Sequence, residues 1–183
     1  RRQRQMCIRD RKLPVPLVYN CGGYERVETL RRLEGLADIW LPDLKYADGA
    51  PAAALSAAPD YFPVAAGAIR EMFRQTGPYV MEDGLLRRGV VIRHLVLPGY
   101  PDNTRRVIDW VAETFRPGDV LFSLMSQYTP QPGAQGRLAR RVTRAEYRAA
   151  VDYMRNCGIT DGFTQERTAA REEYTPPFDL TGV

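Results

Sequence analysis

Histidine and cysteine are scarce in this chain of 183 residues, which contains one histidine and three cysteines. Cys7, Cys21 and Cys157 are odd in number and far apart, which argues against a disulfide framework and against a self-contained metal site. We therefore expect reduced thiols and no metal ligand within this chain. The single histidine, His94, has no second histidine with which to share a metal ion.

Long apolar runs are also absent. No stretch approaches the roughly 20 residues that a membrane helix needs, and the N-terminus lacks the apolar core of a signal peptide. We therefore predict a cytoplasmic protein without a membrane partner. The formal net charge is +4, but the arginines are scattered along the chain, so the sequence does not favour a nucleic-acid partner. A hydrophobic content of 44% can form one sizeable core.

Apolar runs alternate with amphipathic segments throughout the chain. Strands are predicted at 13–19, 38–44, 90–97 and 120–125, with a short fifth at 162–166. Helices are predicted at 25–36, 60–73, 101–115 and 143–156, and a small hairpin is predicted around 82–84. The short strands are nearly continuous in apolar residues, and most are followed by a helix. This pattern predicts an α/β fold with a parallel sheet that is buried on both faces.

Two of the apolar runs carry charges where a buried strand should have none. Asp43 lies near the end of the second predicted strand and Lys45 directly follows it, while Arg93 lies within the third. An unpaired buried charge costs several kcal/mol, so these side chains should pair with one another or face a polar ligand. Ligands of parallel sheets bind at the carboxyl ends of the strands, where Asn20 also falls. A purely structural ion network is the alternative.

Three further features have structural interpretations that compete with functional ones. His94 has the opposite parity to Arg93, so a buried core histidine is favoured over a catalytic one. Cys21 follows a predicted strand, but no histidine is evidently placed to act as its base. Gly22 and Gly23 indicate a turn and are too short a motif for a phosphate loop. No residue is therefore assigned a catalytic role.

Several segments occur in the order found in one enzyme family. These are 19–25 (YNCGGYE), 41–46 (LPDLKY), 92–99 (IRHLVLPG), 123–130 (SLMSQYTP), 162–166 and 178–183. Together they resemble the radical S-adenosylmethionine (SAM) proteins that are similar to pyruvate formate-lyase activating enzyme. The resemblance covers nearly the whole chain from Leu13 to Val183.

The resemblance implies a partial (β/α) barrel and specific roles for six residues. Asn20 would lie near the methionine amino group of SAM, and Asp43 and Lys45 would lie at its methionine end. Arg93 would reach the SAM carboxylate. Gln127 or Tyr128 would lie near the ribose or adenine. Two cations and one anion suit a zwitterionic amino acid. In this family a 4Fe-4S cluster cleaves SAM reductively to a 5'-deoxyadenosyl radical.

Two elements of the family are missing from the sequence. The Cys-x3-Cys-x2-Cys motif that ligates the cluster is absent, and the spacing of the three cysteines cannot replace it. The glycine-rich element that holds the methionine amine in this family is absent as well. We therefore expect residues 13–183 to be the C-terminal part of a longer barrel, inactive alone, and residues 1–12 to be an irregular or non-native segment. The parent enzyme would need an electron donor and would act on a glycyl-radical protein or another protein substrate.

Two alternatives stay open at this point. One is a cluster-free (β/α) enzyme or binding domain that uses Asp43, Lys45 and Arg93 to hold a small anionic ligand. The other is a non-catalytic interaction or nucleic-acid-binding domain that uses the excess of arginine.

Overall fold

The fold is an α/β arrangement built around one mostly parallel sheet. A computed structural model describes residues 15–164. The predicted irregular segment 1–12 and the chain after Thr164 lie outside these described residues, as does Cys7.

Five strands run parallel and follow the chain order across the sheet. The strands are β1 (Val18–Cys21), β2 (Ile39–Pro42), β3 (Val80–Glu82), β4 (Leu85–Leu95), β5 (Leu121–Met125) and β6 (Gly162–Thr164). Their order is β1-β2-β4-β5-β6, and β3 pairs antiparallel with β4 as the arm of a hairpin. Over the described residues the sheet is open, with β1 and β6 at its edges. This is the arrangement of a partial (β/α) barrel, as predicted.

Five α-helices connect the strands. They are α1 (Val27–Arg32), α2 (Gly49–Ser56), α3 (Tyr61–Thr76), α4 (Pro101–Thr114) and α5 (Arg144–Asn156), and a short 3-10 helix spans Gly136–Ala139. Proline at its first position starts α4, since a proline there loses no helical hydrogen bond. A capping box between Thr143 and Glu146 starts α5, as the sequence predicted.

All five helices lie on one face of the sheet. Their buried side chains form a single cluster with alternate strand residues, namely Trp40, Val90, Ile92, Phe122 and Leu124. The residues of opposite parity, Ile39, Val91 and Leu121, form a smaller cluster to which no described helix contributes. The side chains on the helix-free face are also buried, so the predicted burial of both faces is confirmed for the central strands β2, β4 and β5. The apolar pattern arose because strand side chains pack against one another on the helix-free face.

Several predicted boundaries also need correction. Strand β1 continues through Asn20 and Cys21, which pair in register with Leu41 and Pro42. Helix α1 ends four residues before the predicted end, because the backbone turns at Leu33 and adopts a φ of +76° at Gly35. Helix α2 was not predicted at all. Its sequence GAPAAALS has no apolar stripe, so it carries no helical periodicity.

The β3–β4 hairpin is where the sequence placed it, with Asp83 and Gly84 at positive φ in its turn. Strand β4 is longer than predicted because it includes the second arm of this hairpin. Within residues 15–164, no helix is both long enough and apolar enough to cross a membrane.

Candidate functional site

Three neighbouring strands bring the predicted polar residues together at the carboxyl edge of the sheet. Asn20 comes from β1, Asp43 and Lys45 follow β2, and Arg93 lies near the end of β4. One guanidinium nitrogen of Arg93, Nη2, lies 2.7 Å from Asp43 Oδ1 and donates to Asn20 Oδ1 at 2.7 Å. The other Asp43 oxygen, Oδ2, lies 3.9 Å from Lys45 Nζ. Asp43 therefore sits between two cations, as the sequence argument proposed.

The backbone fixes this arrangement. Asp43 and Arg93 form a parallel bridge between β2 and β4. The Leu44 N–H donates to the Arg93 carbonyl at 2.8 Å, and the Asp43 N–H donates to the Cys21 carbonyl at 3.0 Å. The ion pair therefore forms between residues that are already held in register across three strands.

The ion cluster is partly open to solvent. The side chains of Asp43 and Arg93 are 22% and 23% exposed, whereas that of Lys45 is 46% exposed. Arg93 Nε is buried and has no hydrogen-bond partner within the described residues. Such an orphaned donor is unusual in a folded protein. The half-exposed Lys45 ammonium is the donor of the cluster that a ligand can reach directly.

A cavity of about 120 Å³ adjoins the cluster. Its lining residues are Asp43, Lys45, Tyr46, Leu95, Leu97 and Met125. One wall is charged and the rest is largely apolar, which is the usual make-up of a small-molecule site.

Tyr61 is a residue of this site that the sequence analysis missed. It lies at the start of α3 and is 4% exposed. Its hydroxyl lies 2.8 Å from the Gly22 carbonyl and 2.8 Å from the Asp43 carbonyl, and it accepts the Lys45 N–H at 3.1 Å. Burial is the main cause that raises the pKa of Tyr61 well above its usual value, so the hydroxyl keeps its proton. One side chain thus ties the ends of β1 and β2 together.

Asn103 performs a similar role on the other side of Lys45. Its side chain accepts the Ala47 N–H and donates to the Lys45 carbonyl, both at 3.0 Å. Because Asn103 lies in the first turn of α4, the segment after β2 is fixed to that helix. Helix periodicity gave no reason to single out Tyr61 or Asn103, because both partners are backbone groups distant in sequence.

Gly22 and Gly23 form the turn that the sequence indicated. Gly23 has a φ of +78°, and a Cβ there would overlap the Asp43 carbonyl oxygen. The turn after β1 can therefore approach Asp43 closely only because this residue is glycine.

His94 is a core residue, as its parity predicted. It is fully buried, its Nδ1 lies 2.7 Å from the Leu44 carbonyl, and its Nε2 lies 3.0 Å from Thr104 Oγ1. A carbonyl can only accept, so Nδ1 carries the proton and Nε2 accepts from Thr104. Burial lowers the pKa of His94 to about 4, which keeps the imidazole neutral. The histidine supports the backbone behind Asp43 and faces no cavity of the site.

Gln127 and Tyr128 lie beyond the end of β5 and do not line the cavity. Gln127 is exposed, and its side-chain amide lies 3.7 Å from the sulfur of Met125, a lining residue. The Tyr128 hydroxyl donates to the Leu138 carbonyl at 2.9 Å, so it is already engaged within its own loop. Their role near a ribose or adenine stays a prediction.

The thiols do not assemble into a metal centre in the described part of the chain. Cys21 and Cys157 are half-buried free cysteines, and burial raises the pKa of each thiol. Residues 15–164 contain no group of three histidine, cysteine, aspartate or glutamate side chains that could hold a metal ion.

Comparisons with known proteins relate the chain to one uncharacterised relative and one solved fold. No protein-family model matches the chain. An uncharacterised protein of Methanocaldococcus jannaschii is 27% identical over 141 residues, which are 75% of this chain and 37% of that relative. The chain thus spans little more than a third of the length of this relative.

A solved domain of pyruvate-formate lyase-activating enzyme from Bacteroides vulgatus has a similar fold. The TM-score is 0.55 at 13% sequence identity, and the match covers 77% of this chain and 75% of that domain. At this identity the likeness concerns the fold, which agrees with the partial (β/α) barrel described above.

Proposed function

We propose that residues 13–183 belong to the barrel of a radical SAM enzyme and hold the amino-acid end of SAM. The observation that supports this best is the cluster of Asn20, Asp43, Lys45 and Arg93 at the carboxyl ends of three adjacent strands. The fold is similar to that of a domain from an activating enzyme, the class that the sequence motifs also resemble.

The residues of the cluster fit the methionine end of SAM chemically. Asn20 and Asp43 offer oxygen acceptors to an ammonium group, while Lys45 and Arg93 offer donors to a carboxylate. The buried Arg93 Nε is an unused donor at this place. The apolar residues Leu95 and Met125 can pack against the aliphatic part of the same ligand. The cavity is too small for the whole cofactor, so the nucleoside would extend toward Gln127 and Tyr128.

The described residues do not fit a 4Fe-4S cluster, because they contain no set of three thiolates. Its ligands would come from a part of the enzyme outside residues 15–164. In the superfamily that the chain resembles, SAM supplies a 5'-deoxyadenosyl radical that abstracts a hydrogen atom. The role proposed for this chain is to bind and orient the amino acid, and the electron donor and protein substrate belong to the proposal for the whole enzyme.

A binding experiment tests this assignment without requiring a cluster. Isothermal titration calorimetry of the full chain should detect SAM and S-adenosylhomocysteine, and Arg93→Gln should weaken both by roughly ten- to a hundredfold, because a charge-assisted hydrogen bond is lost. Arg87→Gln is the matched control. Arg87 pairs with Glu82 at 3.4 Å on the hairpin, outside the site, so its loss should leave affinity unchanged.

The small-anion alternative gives a different result in the same experiment. If inorganic phosphate or acetate binds as tightly as SAM and loses affinity equally in Arg93→Gln, the site is a general anion site and the SAM assignment fails. An affinity for SAM that is unchanged in Arg93→Gln would contradict the assignment as well.

A further inference from the structure

A strongly basic segment lies at the junction of the loop after β5 and helix α5. Residues 137–148 contain five arginines and a single acidic residue, Glu146. The five are Arg137, Arg140, Arg141, Arg144 and Arg148, and all are exposed. We call this set the arginine surface. The proposed SAM site uses none of these arginines.

The one acidic residue in this segment is already used. Glu146 Oε2 lies 2.7 Å from Arg140 Nη1 and accepts the Thr143 N–H, while Oε1 accepts the Gly99 N–H at 2.9 Å. These partners, with Arg140 as the largest cause, hold the pKa of Glu146 far below its usual value. Glu146 is therefore already engaged by Arg140 and by two backbone N–H groups. Within residues 15–164, neither Arg144 nor Arg148 forms an ion pair.

An apolar groove runs beside the arginine surface, between the first turns of α4 and α5. It encloses about 290 Å³ and is lined by Val96, Leu97, Pro101, Thr104, Arg105, Ala145, Glu146, Ala149 and Ala150. The three alanines leave the space open, because they are the smallest side chains that a helix can offer. Ala145 and Ala149 directly follow Arg144 and Arg148 along α5, so apolar and basic positions adjoin on one helix.

Both features lie next to the candidate site. Leu97 lines the groove and also the cavity beside Asp43 and Lys45. Arg137 donates to the Gly99 carbonyl at 3.0 Å, and its guanidinium lies 5.7 Å from the ring centre of Tyr100. A partner that covers the arginine surface and the groove would therefore reach the same edge of the sheet.

We propose that the arginine surface and the groove dock an acidic segment of a partner protein, with an apolar side chain of that segment in the groove. Charge complementarity defines the partner, and arginines around an apolar centre are typical of protein interfaces. A nucleic-acid site would add exposed aromatic rings for base stacking. The one aromatic residue within 137–148, Tyr147, is half-buried, and its hydroxyl donates to the Leu124 carbonyl. The proposal does not depend on SAM binding.

A short fluorescein-labelled peptide tests the proposal on the full chain. It carries two leucines at i and i+4 spacing among glutamates, and a second peptide has serine in place of both leucines. Fluorescence anisotropy should show tighter binding of the leucine peptide, with an affinity that falls as salt is raised. A single-stranded oligonucleotide of equal charge is the third probe.

Two variants test the two halves of the surface separately. The double change Arg144→Gln and Arg148→Gln should weaken both peptides by roughly tenfold, since two exposed ion pairs are lost. Ala149→Phe fills the groove, and because Ala149 is exposed the larger side chain is tolerated. It should weaken the leucine peptide alone. Arg32→Gln with Arg88→Gln removes two exposed arginines elsewhere and should leave binding unchanged.

Three results would overturn the proposal. Tighter binding of the oligonucleotide than of the leucine peptide would indicate a nucleic-acid surface. An equal loss of peptide affinity in the Arg32 and Arg88 control would indicate general charge attraction. Absence of peptide binding at low salt would show that the arginine surface does not dock acidic segments. Circular dichroism of each variant checks its folding. None of these outcomes alters the SAM experiment, which uses Arg93→Gln and Arg87→Gln and none of the variants described here.

Discussion

Two ion networks in this molecule are built from the same types of charged side chain but lie in different surroundings. In the surface network, between α1 and α3, exposed arginines surround a carboxylate that is only 5% exposed. Glu71 pairs with Arg74 at 2.8 Å and with Arg31 at 3.6 Å, and its Oε1 also accepts the Gln75 amide. At the carboxyl edge, Asp43 lies between Arg93 and Lys45. Both networks place one carboxylate against two cations, yet their surroundings differ.

The charges of the surface network pair among themselves, whereas the edge network borders a cavity. Arg74 also pairs with Glu34 at 2.9 Å, so each charge of this network has an opposite charge beside it. At the edge, the Lys45 side chain is about half exposed, Arg93 Nε has no partner in the described chain, and a cavity adjoins both. Each network contains one buried polar atom without a hydrogen-bond partner in the described chain, Arg93 Nε at the edge and Gln75 Oε1 in the surface network. The adjoining cavity is therefore the feature that separates them. This difference favours a functional role for the edge.

The largest expected effect concerns the turn on which the edge network is built. Gly23→Ala should lower the free energy of unfolding by about 3–5 kcal/mol, because it adds left-handed strain and an overlap with the Asp43 carbonyl oxygen. Gly35→Ala is the matched control beside Glu34. Gly35 has a φ of +76° with open space around it, so only the strain of about 1–2 kcal/mol applies. Equal losses in urea denaturation would contradict the close approach at Gly23.

A pH titration of stability should distinguish His94, behind the edge network, from the surface network, because the two lose stability over different pH ranges. The folded-state pKa of His94 is lowered to about 4 by burial, whereas an unfolded histidine titrates near 6.5. The unfolded state therefore binds more protons between these values, and stability should fall as the pH falls from 6.5 toward 4, by about 2 kcal/mol at pH 5. Because the chain has one histidine, its NMR signals report this group directly. Titration near pH 6.5 in the folded chain would refute the buried neutral imidazole.

Tyr61→Phe should lower the free energy of unfolding by about 1–2 kcal/mol, because the removed hydroxyl joins three backbone groups at the edge of the sheet. The control is Tyr24→Phe. The Tyr24 hydroxyl donates to Asp60 at 2.7 Å on the exposed surface, and its loss should cost about 0.5 kcal/mol or less. Hydrogen exchange gives a local measurement, since the Lys45 amide should exchange faster only in Tyr61→Phe. Unchanged exchange there would show that the hydroxyl does not hold the segment.

The smallest change in the free energy of unfolding is expected from the surface network around Glu71. Arg74 is the main cause that lowers the pKa of Glu71 to about 2. Glu71 therefore stabilises the fold above its unfolded pKa near 4.5, and this contribution is lost as the pH falls from 4.5 to 2. Solvent screening of the half-exposed arginines limits it to about 1 kcal/mol. The urea midpoint of Glu71→Gln should not show this loss as the pH falls. If the midpoints of the unchanged chain and of Glu71→Gln decline in parallel, the loss of stability comes from another group.

Much of the sheet and the edge network was predictable because both leave local signals. Apolar runs marked β2, β4 and β5, and the charges at Asp43, Lys45 and Arg93 stood out against them. The capping box before α5 was equally local. These features depend on residues within a few positions of one another, which a single sequence displays.

The features that were missed depend on distant partners. The Tyr61 hydroxyl contacts carbonyls 18 and 39 residues away, and an apolar helix stripe gives no hint of that. Helix α2 has no periodicity, because alanine suits either face. Burial of both sheet faces was predictable, since strand residues that pack among themselves on the helix-free face are as apolar as those beneath helices.

The Tyr61 hydroxyl has one proton and two carbonyl acceptors at equal distance. Rotation about the bond between the ring and the oxygen can aim that proton at Gly22 or at Asp43, or share it between them in a three-centre bond. The bonds to the ends of β1 and β2 therefore draw on the same hydrogen atom, and one weakens as the other strengthens. A movement of the Asp43 backbone would be felt in the glycine turn through the position of that single hydrogen atom.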